Sequence, residues 1–132
     1  MVERYAREAM KSKWSIQAKY DAWLKVELAC VRAWNKLGLI TDADCEKIQK
    51  NAKFDIARID EIEKTTKHDV IAFLTSVSES LGDESRFVHY GMTSSDCIDT
   101  AVALQIKESL ELILTGIDEF LVALKERAME HK

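Results

Sequence analysis

Residues 96–131 read DCIDTAVALQIKESLELILTGIDEFLVALKERAMEH, and their pattern decides the fold. Apolar residues recur at every third or fourth position, which is the spacing of one face of an α-helix. At about 1.5 Å per residue such a helix spans roughly 54 Å, whereas a domain of this size has a radius of gyration of about 14 Å. We therefore predict that the far half of the helix projects beyond its own core and needs partners there. The apolar face consists of Ile98, Val102, Ile106, Leu110, Ile113, Ile117, Phe120, Leu124 and Ala128.

Four shorter helices are predicted before the long one, because apolar residues again follow helical spacing and turn residues such as Gly38 separate the segments. Trp23 and Trp34 lie eleven positions apart on the first of them, so we expect core packing rather than base stacking. No alternating strand pattern competes. The prediction is an all-α protein, with a helical domain over residues 1–95 and the start of a bundle helix over residues 96–132. The four helices cover residues 16–37, 41–51, 55–64 and 69–81.

The composition indicates one soluble domain without a strong basic field. The 132 residues are 47% hydrophobic and carry a net charge of −4, which offers nucleic acid or an anionic membrane little attraction. No apolar run approaches the roughly 18–20 residues of a membrane span, and the first residues lack the apolar region of a signal peptide. We therefore expect a cytoplasmic protein. Cys30, Cys45 and Cys97 are an odd, widely spaced set that suits neither a disulfide framework nor a zinc site.

The stretch HYGMTSSDCIDTA, residues 89–101, leads into the long helix. Gly91 can adopt the backbone dihedrals of a sharp turn, and residues 93–96 are of the types that cap helices. Unpaired N–H groups at a helix start, together with the positive end of the macrodipole, favour a carboxylate or a phosphate. The pattern predicts an anion site at this point, and it leaves a plain helix cap open as the alternative.

The same stretch resembles the first signature segment of the adenylosuccinate lyases, a family of the fumarase/aspartase superfamily. The resemblance lies in GMTSSD at 91–96 and DTA at 99–101. Fumarases and aspartases instead have a Gln-Ser-(Ser/Thr)-Asn-Asp core here, and argininosuccinate lyases have a Gly-Arg-Ser-Arg-Asn-Asp type run. Further similar segments occur in the same order as in the family, so the resemblance covers essentially the whole chain. They are RY at 4–5, FDI at 54–56 and EIEKTTKHDV at 61–70.

The resemblance implies a carbon–nitrogen lyase of purine biosynthesis with an all-α fold. Enzymes of this family eliminate fumarate from adenylosuccinate, giving AMP, and perform the matching step on the succinyl-carboxamide imidazole ribonucleotide. They use no metal and no other cofactor. Their long helix begins a central bundle that assembles homotetramers, and their active sites combine segments of different subunits. We accordingly expect a purine nucleotide as substrate and a homo-oligomer.

Five residues in two segments match substrate-binding positions of the family. Lys67, His68 and Asp69 match residues that contact the substrate, with the imidazole near a phosphate or a succinyl carboxylate. The family more often has arginine at position 67, and lysine keeps the charge but loses the bidentate geometry. Thr93 and Ser94 match donors to a succinyl carboxylate. From the residues alone, Asp69 as a helix cap and His68 as a surface residue remain open.

Arg4, Tyr5 and His89 complete the implied site. The Arg-Tyr pair matches a phosphate-binding pair, and a guanidinium fork with a phenolic donor suits that ligand. Without the resemblance, a frayed terminus is the default interpretation of these two residues. His89 is expected to support the pocket, either by hydrogen-bonding the substrate or by orienting His68, with a structural histidine as the alternative.

The proton-transfer residues of the family lie outside this sequence. The family's general acid is a histidine in a later segment, and its general base is a serine in a Ser-Ser-x-Met-Pro-x-Lys-x-Asn-Pro type loop; neither segment occurs here. We therefore expect the N-terminal part of such an enzyme, inactive by itself. Two other interpretations remain: a non-catalytic helical oligomerisation module, and another lyase of the superfamily, which the segment at 91–96 disfavours.

Overall fold

The computed structural model describes residues 3–132, and this part of the chain is all-α, as predicted. It holds six α-helices and two short 3-10 helices, with no strand among the described residues. The α-helices are α1 (Glu8–Lys13), α2 (Ile16–Lys36), α3 (Asp42–Asn51), α4 (Ile56–Thr66), α5 (Asp69–Ser78) and α6 (Ser94–Glu130), and the 3-10 helices cover Glu3–Tyr5 and Asp83–Phe87.

Cap residues set several of these helix ends, as the sequence indicates. Thr41 Oγ1 accepts the N–H of Asp44 at 3.2 Å at the start of α3. Asp55 Oδ1 accepts the N–H of Arg58 at 2.7 Å at the start of α4. After α2 the chain turns at Gly38, whose φ of 77° lies in the left-handed region that glycine enters without a steric penalty. The short polar side chains therefore satisfy N–H groups that the helices leave unpaired.

Three of the predicted helix ends need correction, and the first is that α4 continues to Thr66 instead of ending at residue 64. α5 stops at Ser78 instead of residue 81, because the next turn tightens: the N–H of Leu81 bonds the carbonyl of Ser78, three residues back. α6 begins at Ser94, two residues before the predicted start, because the chain is already capped at Thr93. The helix α1 and the two 3-10 helices are absent from the sequence prediction.

Helix α2 runs through the centre of the molecule and contributes to two apolar clusters. In the larger cluster, Trp23 is 1% exposed and packs edge-on against Phe73 of α5, at 5.4 Å between ring centroids. The smaller cluster joins α2 to α3 through Val31 and Ile48, both fully buried. Burial of each such large side chain stabilises the fold by about 1.5–3 kcal/mol. The larger cluster consists of Tyr20, Ala22, Trp23, Val26, Ile59, Ile62, Val70, Ala72, Phe73, Val77, Cys97 and Ala101.

The first half of α6 packs on this core, whereas its second half projects. The helix has 37 residues, and its last buried residue is Ser109. This confirms the predicted projecting stripe. No helix within residues 3–132 combines the length and apolarity needed to cross a membrane. The exposed large apolar residues of α6 are Val102, Ile106, Leu110, Ile113, Leu114, Ile117, Phe120, Leu121, Val122, Leu124 and Met129.

Polar contacts attach the N-terminal helix α1 to the middle of α6. Lys13 Nζ lies 2.8 Å from Glu108 Oε2. The carbonyl of Lys13 accepts from Gln105 Nε2 at 2.8 Å, and Trp14 Nε1 donates to Ser109 Oγ at 3.0 Å. α1 has no buried residue and no side-chain cap, so these long-range bonds explain its position and why local sequence did not predict it.

Candidate functional site

The loop before α6 enters the left-handed backbone region twice. His89 has a φ of 64° and Gly91 a φ of 73°, and the N–H of Met92 bonds the carbonyl of His89 at 3.2 Å. A β-carbon at position 91 would lie 3.1 Å from Trp34 Cζ2. Glycine is therefore required here for its backbone angle and for the close approach of an indole ring. The sharp turn expected at Gly91 is confirmed.

Two side chains of helix α2 make polar contacts with this loop. Trp34 Nε1 donates to the carbonyl of Tyr90 at 2.8 Å, and the two rings meet edge to face at 5.9 Å. Seven residues earlier on α2, Glu27 Oε1 lies 2.7 Å from His89 Nδ1. The core role predicted for Trp23 is confirmed, but Trp34 is only half-buried and lies between the smaller cluster and the loop.

The start of α6 is capped, and it also presents backbone N–H groups that have no partner within the helix. Thr93 is the N-cap, and its N–H donates to Asp96 Oδ2 at 2.8 Å. The N–H groups of Ser94 and Ser95 have no acceptor within an α-helix, because they belong to its first turn. The carboxylate of Asp96 offsets part of the positive potential at this end. A dianionic ligand bound here therefore requires a cationic group from elsewhere.

His68, rather than Asp69, caps α5. His68 Nδ1 accepts the N–H of Ile71 at 3.3 Å, while the carboxylate of Asp69 bonds the N–H of Val70 at 2.7 Å. A ring nitrogen that accepts a hydrogen bond carries no proton, so the neutral imidazole has its proton on Nε2. The His68 side chain is 47% exposed, which leaves Nε2 as a donor toward solvent or a ligand.

Lys67 lies at the junction of α4 and α5 in a left-handed conformation, with a φ of 53°. This angle is uncommon for a residue with a β-carbon, and it turns the chain sharply into the cap at His68. Lys67 is exposed and shares a shallow depression with Lys64, Asp60 and Glu63. The carboxylates of Asp60 and Glu63 lie beside Lys67 and repel an anion. An anion bound by Lys67 therefore needs a second binding group.

Arg4 and Tyr5 lie far from the start of α6 in a single chain. The Arg4 guanidinium stacks 4.8 Å from the Tyr5 ring centroid within the first 3-10 helix, and Tyr5 is 76% exposed. Tyr5 borders an open apolar groove of about 670 Å³ whose other wall is residues 112–120 of α6. The helical rise from Ser94 to residue 112 is roughly 27 Å. One chain therefore does not bring the Arg-Tyr pair to Ser94.

His89 contacts Glu27 and not His68, whose orientation was one of the two supporting roles predicted for it. Among the described residues, no hydrogen bond or ion pair joins His68 to the loop before α6. The two segments share a core instead, because α5 and α6 each place a first-turn residue, Val70 and Cys97, in the larger cluster. Glu27 was missed by sequence reasoning, although a carboxylate in the middle of the apolar face of α2 is a visible signal.

The cysteines and carboxylates offer little reactive or metal-binding chemistry. Burial, together with the nearby Glu27 carboxylate, raises the pKa of the Cys97 thiol well above its usual range. Burial likewise raises the pKa of the Cys30 thiol. Within residues 3–132 no three His, Cys, Asp or Glu side chains are grouped to hold a metal ion.

Comparison with known proteins agrees with this geometry. A family model described as lyase matches residues 3–132. The chain belongs to this lyase family. The crystal structure of a fumarate lyase from Mesorhizobium sp. BNC1 aligns with a TM-score of 0.73 and 26% identity, over 82% of this chain and 26% of that one.

Curated relatives named adenylosuccinate lyase match the chain over all of its 132 residues. The protein of Helicobacter pylori strain ATCC 700392 / 26695 is 62% identical, and that of Bacillus subtilis strain 168 is 46% identical. The chain spans about 30% of the length of the first and 31% of the second. The family resemblance found in the sequence is confirmed.

Proposed function

We propose that this chain is the N-terminal part of an adenylosuccinate lyase. In this proposal the whole enzyme eliminates fumarate from adenylosuccinate, giving AMP, and from the succinyl-carboxamide imidazole ribonucleotide. The observation that carries it is the 62% identity over all 132 residues to a relative of that name. At this identity the substrate-contacting segments are expected to keep their chemistry. We place the enzyme, which acts on free purine nucleotides, in the cytoplasm.

The start of α6 would bind a carboxylate of the succinyl group. Abstraction of a proton next to a carboxylate builds a dianionic intermediate, so a catalyst needs donors aimed at charge that develops during the reaction. Thr93 and Ser94 supply hydroxyl groups there, and the first turn of α6 supplies unpaired N–H groups. The support of the loop by Trp34 and Glu27 keeps these donors in place before substrate binds.

The junction of α4 and α5 would supply the donor and the positive charge that the start of α6 lacks. His68 presents Nε2–H because Nδ1 is occupied as a cap. Lys67 carries a positive charge at the position before His68, and Asp69 fixes the first turn of α5. In this arrangement Lys67 and His68 bind the phosphate or the second carboxylate, Asp69 contacts the substrate beside them, and none of the three transfers the proton.

Arg4 and Tyr5 would bind the phosphate of a nucleotide held mainly by another copy of the chain. The support for this is the separation of roughly 27 Å along α6 between the Tyr5 groove and Ser94, which exceeds the reach of one nucleotide. A homotetramer built on α6 would bring such segments together. We accordingly keep residues 1–95 as the substrate-binding domain and residues 96–132 as the start of the bundle helix.

The 132 residues alone are expected to have no turnover. Neither the general acid nor the general base segment of the family is in the sequence, and each such group typically contributes about 10²–10⁴-fold. Fumarate release can be followed by absorbance, in protein from a host whose own lyase gene has been deleted. Turnover that Ser94→Ala abolishes would show that the chain contains its own catalytic pair.

A chimaera tests the proposed function. In it, residues 1–132 replace the matching segment of the Helicobacter pylori relative, which is 62% identical over that length. We expect the chimaera to release fumarate from adenylosuccinate. A chimaera that folds and assembles but cleaves another substrate of the superfamily would reassign the chain to a different lyase. A folded chimaera with no lyase activity would favour a non-catalytic oligomerisation module.

A further inference from the structure

Glu27 is a buried carboxylate that the proposed reaction does not use. It lies in the middle of α2 with 0% of its side chain exposed. Oε1 bonds His89 Nδ1 at 2.7 Å, and Oε2 has no hydrogen-bond partner within residues 3–132. Burying a carboxylate with one unpaired oxygen is costly, and buried polar atoms in proteins are nearly always paired.

The position of Glu27 in α2 would suit an apolar residue better if only stability mattered. Trp23 precedes it by one turn and Val31 follows it by one turn, and both are buried on the same face. Replacing a buried ion pair by apolar side chains is often neutral or stabilising. The carboxylate therefore requires an explanation other than core packing, and its short hydrogen bond to His89 lies beside a contact with the Cys97 thiol.

The bond to Glu27 fixes which ring nitrogen of His89 remains available. A carboxylate can only accept a hydrogen bond, so Nδ1–H donates to Glu27 and Nε2 is left to meet any other group. The residue that carries this ring has a left-handed backbone, with a φ of 64°, immediately before the loop that leads to Thr93. The imidazole is 17% exposed, so it is held but still accessible.

We propose that Glu27 is a positioning residue: it holds His89 as the Nδ1–H tautomer and directs Nε2 toward substrate bound at the start of α6. The first half of this statement concerns the chain alone, whereas the second half rests on the proposed function. In a free histidine side chain the other tautomer, with the proton on Nε2, is the more stable one. The carboxylate thus reverses the intrinsic preference of His89.

Nitrogen-15 NMR of the histidine rings in the 132-residue chain tests the first half. In alkaline solution, where imidazoles are neutral, His89 is expected to show a protonated Nδ1 and an unprotonated Nε2, with its signals assigned by their loss in His89→Gln. Glu27→Leu, which removes the acceptor, should shift the ring toward Nε2–H. Glu27→Gln, which keeps an acceptor oxygen, should retain part of the Nδ1–H form. Gln105→Met, a buried polar change elsewhere on α6, should leave the His89 signals unchanged.

The tautomer of the unaltered chain is decisive even if Glu27→Leu does not fold. An Nε2–H form of His89 in the unaltered chain would overturn the proposal. So would an Nδ1–H form that persists in a folded Glu27→Leu variant, because Glu27 would then not be its cause. The position of the proton on the His89 ring would not change if Glu27 affected only the stability of the fold.

The chimaera tests the second half. Glu27→Gln is expected to lower kcat by about 10- to 100-fold, by analogy with the loss of the carboxylate partner of a metal-bound histidine, with a smaller change in KM. Gln49→Met, which removes a partly buried polar side chain on α3, should stay at the unaltered rate. An active chimaera in which Glu27→Gln changes nothing would overturn the catalytic part of the proposal while leaving the proposed function intact. An inactive chimaera with the Nδ1–H tautomer in place would instead reject the proposed function and support the pairing.

Discussion

Both histidines of the candidate site form a hydrogen bond through Nδ1, but the partner is a donor in His68 and an acceptor in His89. His68 Nδ1 accepts from the N–H of Ile71, whereas His89 Nδ1 faces the carboxylate of Glu27. The first bond requires an unprotonated Nδ1, and the second favours a protonated one. Both leave Nε2 for a ligand, as a donor in His68 and, in the neutral ring, as an acceptor in His89. Their local partners thus give the two residues different chemistry.

The dual role of His68 leads to a prediction that separates folding from function. His68→Ala removes the cap of α5 and should lower the free energy of unfolding by about 0.5–2 kcal/mol, whereas His68→Asn can restore the cap. Urea unfolding of the 132-residue chain measures this difference. In the chimaera, both variants should lose fumarate release, because neither has an imidazole. Full activity of His68→Asn would mean that the imidazole only caps the helix.

Replacing each of two glycines by alanine should change the stability of the chain in opposite directions. Gly91→Ala forces a left-handed alanine against Trp34 and should destabilise the chain by at least about 1–2 kcal/mol. Gly116 lies within α6, where an added β-carbon would meet nothing within 4 Å, so Gly116→Ala should stabilise the chain by about 0.5–1 kcal/mol. Thermal unfolding of both variants provides the comparison. Equal effects would show that the loop can relax around position 91.

At the scale of elements, sequence reasoning succeeded where a helix carries its own signals. α2, α3 and α4 have helical apolar spacing together with turn or cap residues such as Gly38, Thr41 and Asp55, all of which act locally. α1 has only six residues and depends on bonds to α6 made about ninety positions later. The Glu27–His89 bond likewise joins residues 62 positions apart, so no local pattern reveals it.

The attachment of α1 to α6 should weaken in acid. The bond from Lys13 lowers the pKa of the Glu108 carboxyl below its usual value. A carboxyl with a lowered folded-state pKa stabilises the fold above its unfolded pKa, near 4.3, and this contribution is lost as the pH falls through the lower folded value. The pair is partly exposed, so the effect is expected to be about 0.2–1 kcal/mol.

Urea unfolding between neutral pH and pH 3 can measure this contribution. The stability difference between the unaltered chain and Glu108→Gln should be present at neutral pH and shrink in acid. Glu111→Gln, on the same helix, should show a smaller difference throughout. A Glu108→Gln difference that grows as the pH falls would contradict the assignment of Lys13 as its partner.

At the scale of the whole molecule, the projecting half of α6 requires apolar partners. Its apolar side chains are about half exposed, so burying the rest of each would contribute less than the roughly 1.5–3 kcal/mol of a fully exposed one, and such patches mark association surfaces. We predict that the 132-residue chain self-associates in sedimentation experiments. Leu124→Lys should shift it toward monomer, whereas Glu126→Lys, on the opposite side of α6, should not. A strictly monomeric chain whose α6 is protected from hydrogen exchange would contradict this account.

The most direct test of the account is kcat/KM for adenylosuccinate in a chimaera carrying Ser94→Ala. Thr93 is the cap and Ser94 the first helical residue, so this change should alter stability by no more than about 0.5 kcal/mol. Loss of a donor to a developing charge typically costs about 10²–10³-fold. We predict a fall of that size with an unchanged melting temperature. Activity equal to that of the unaltered chimaera would contradict the claim that the start of α6 binds the reacting carboxylate.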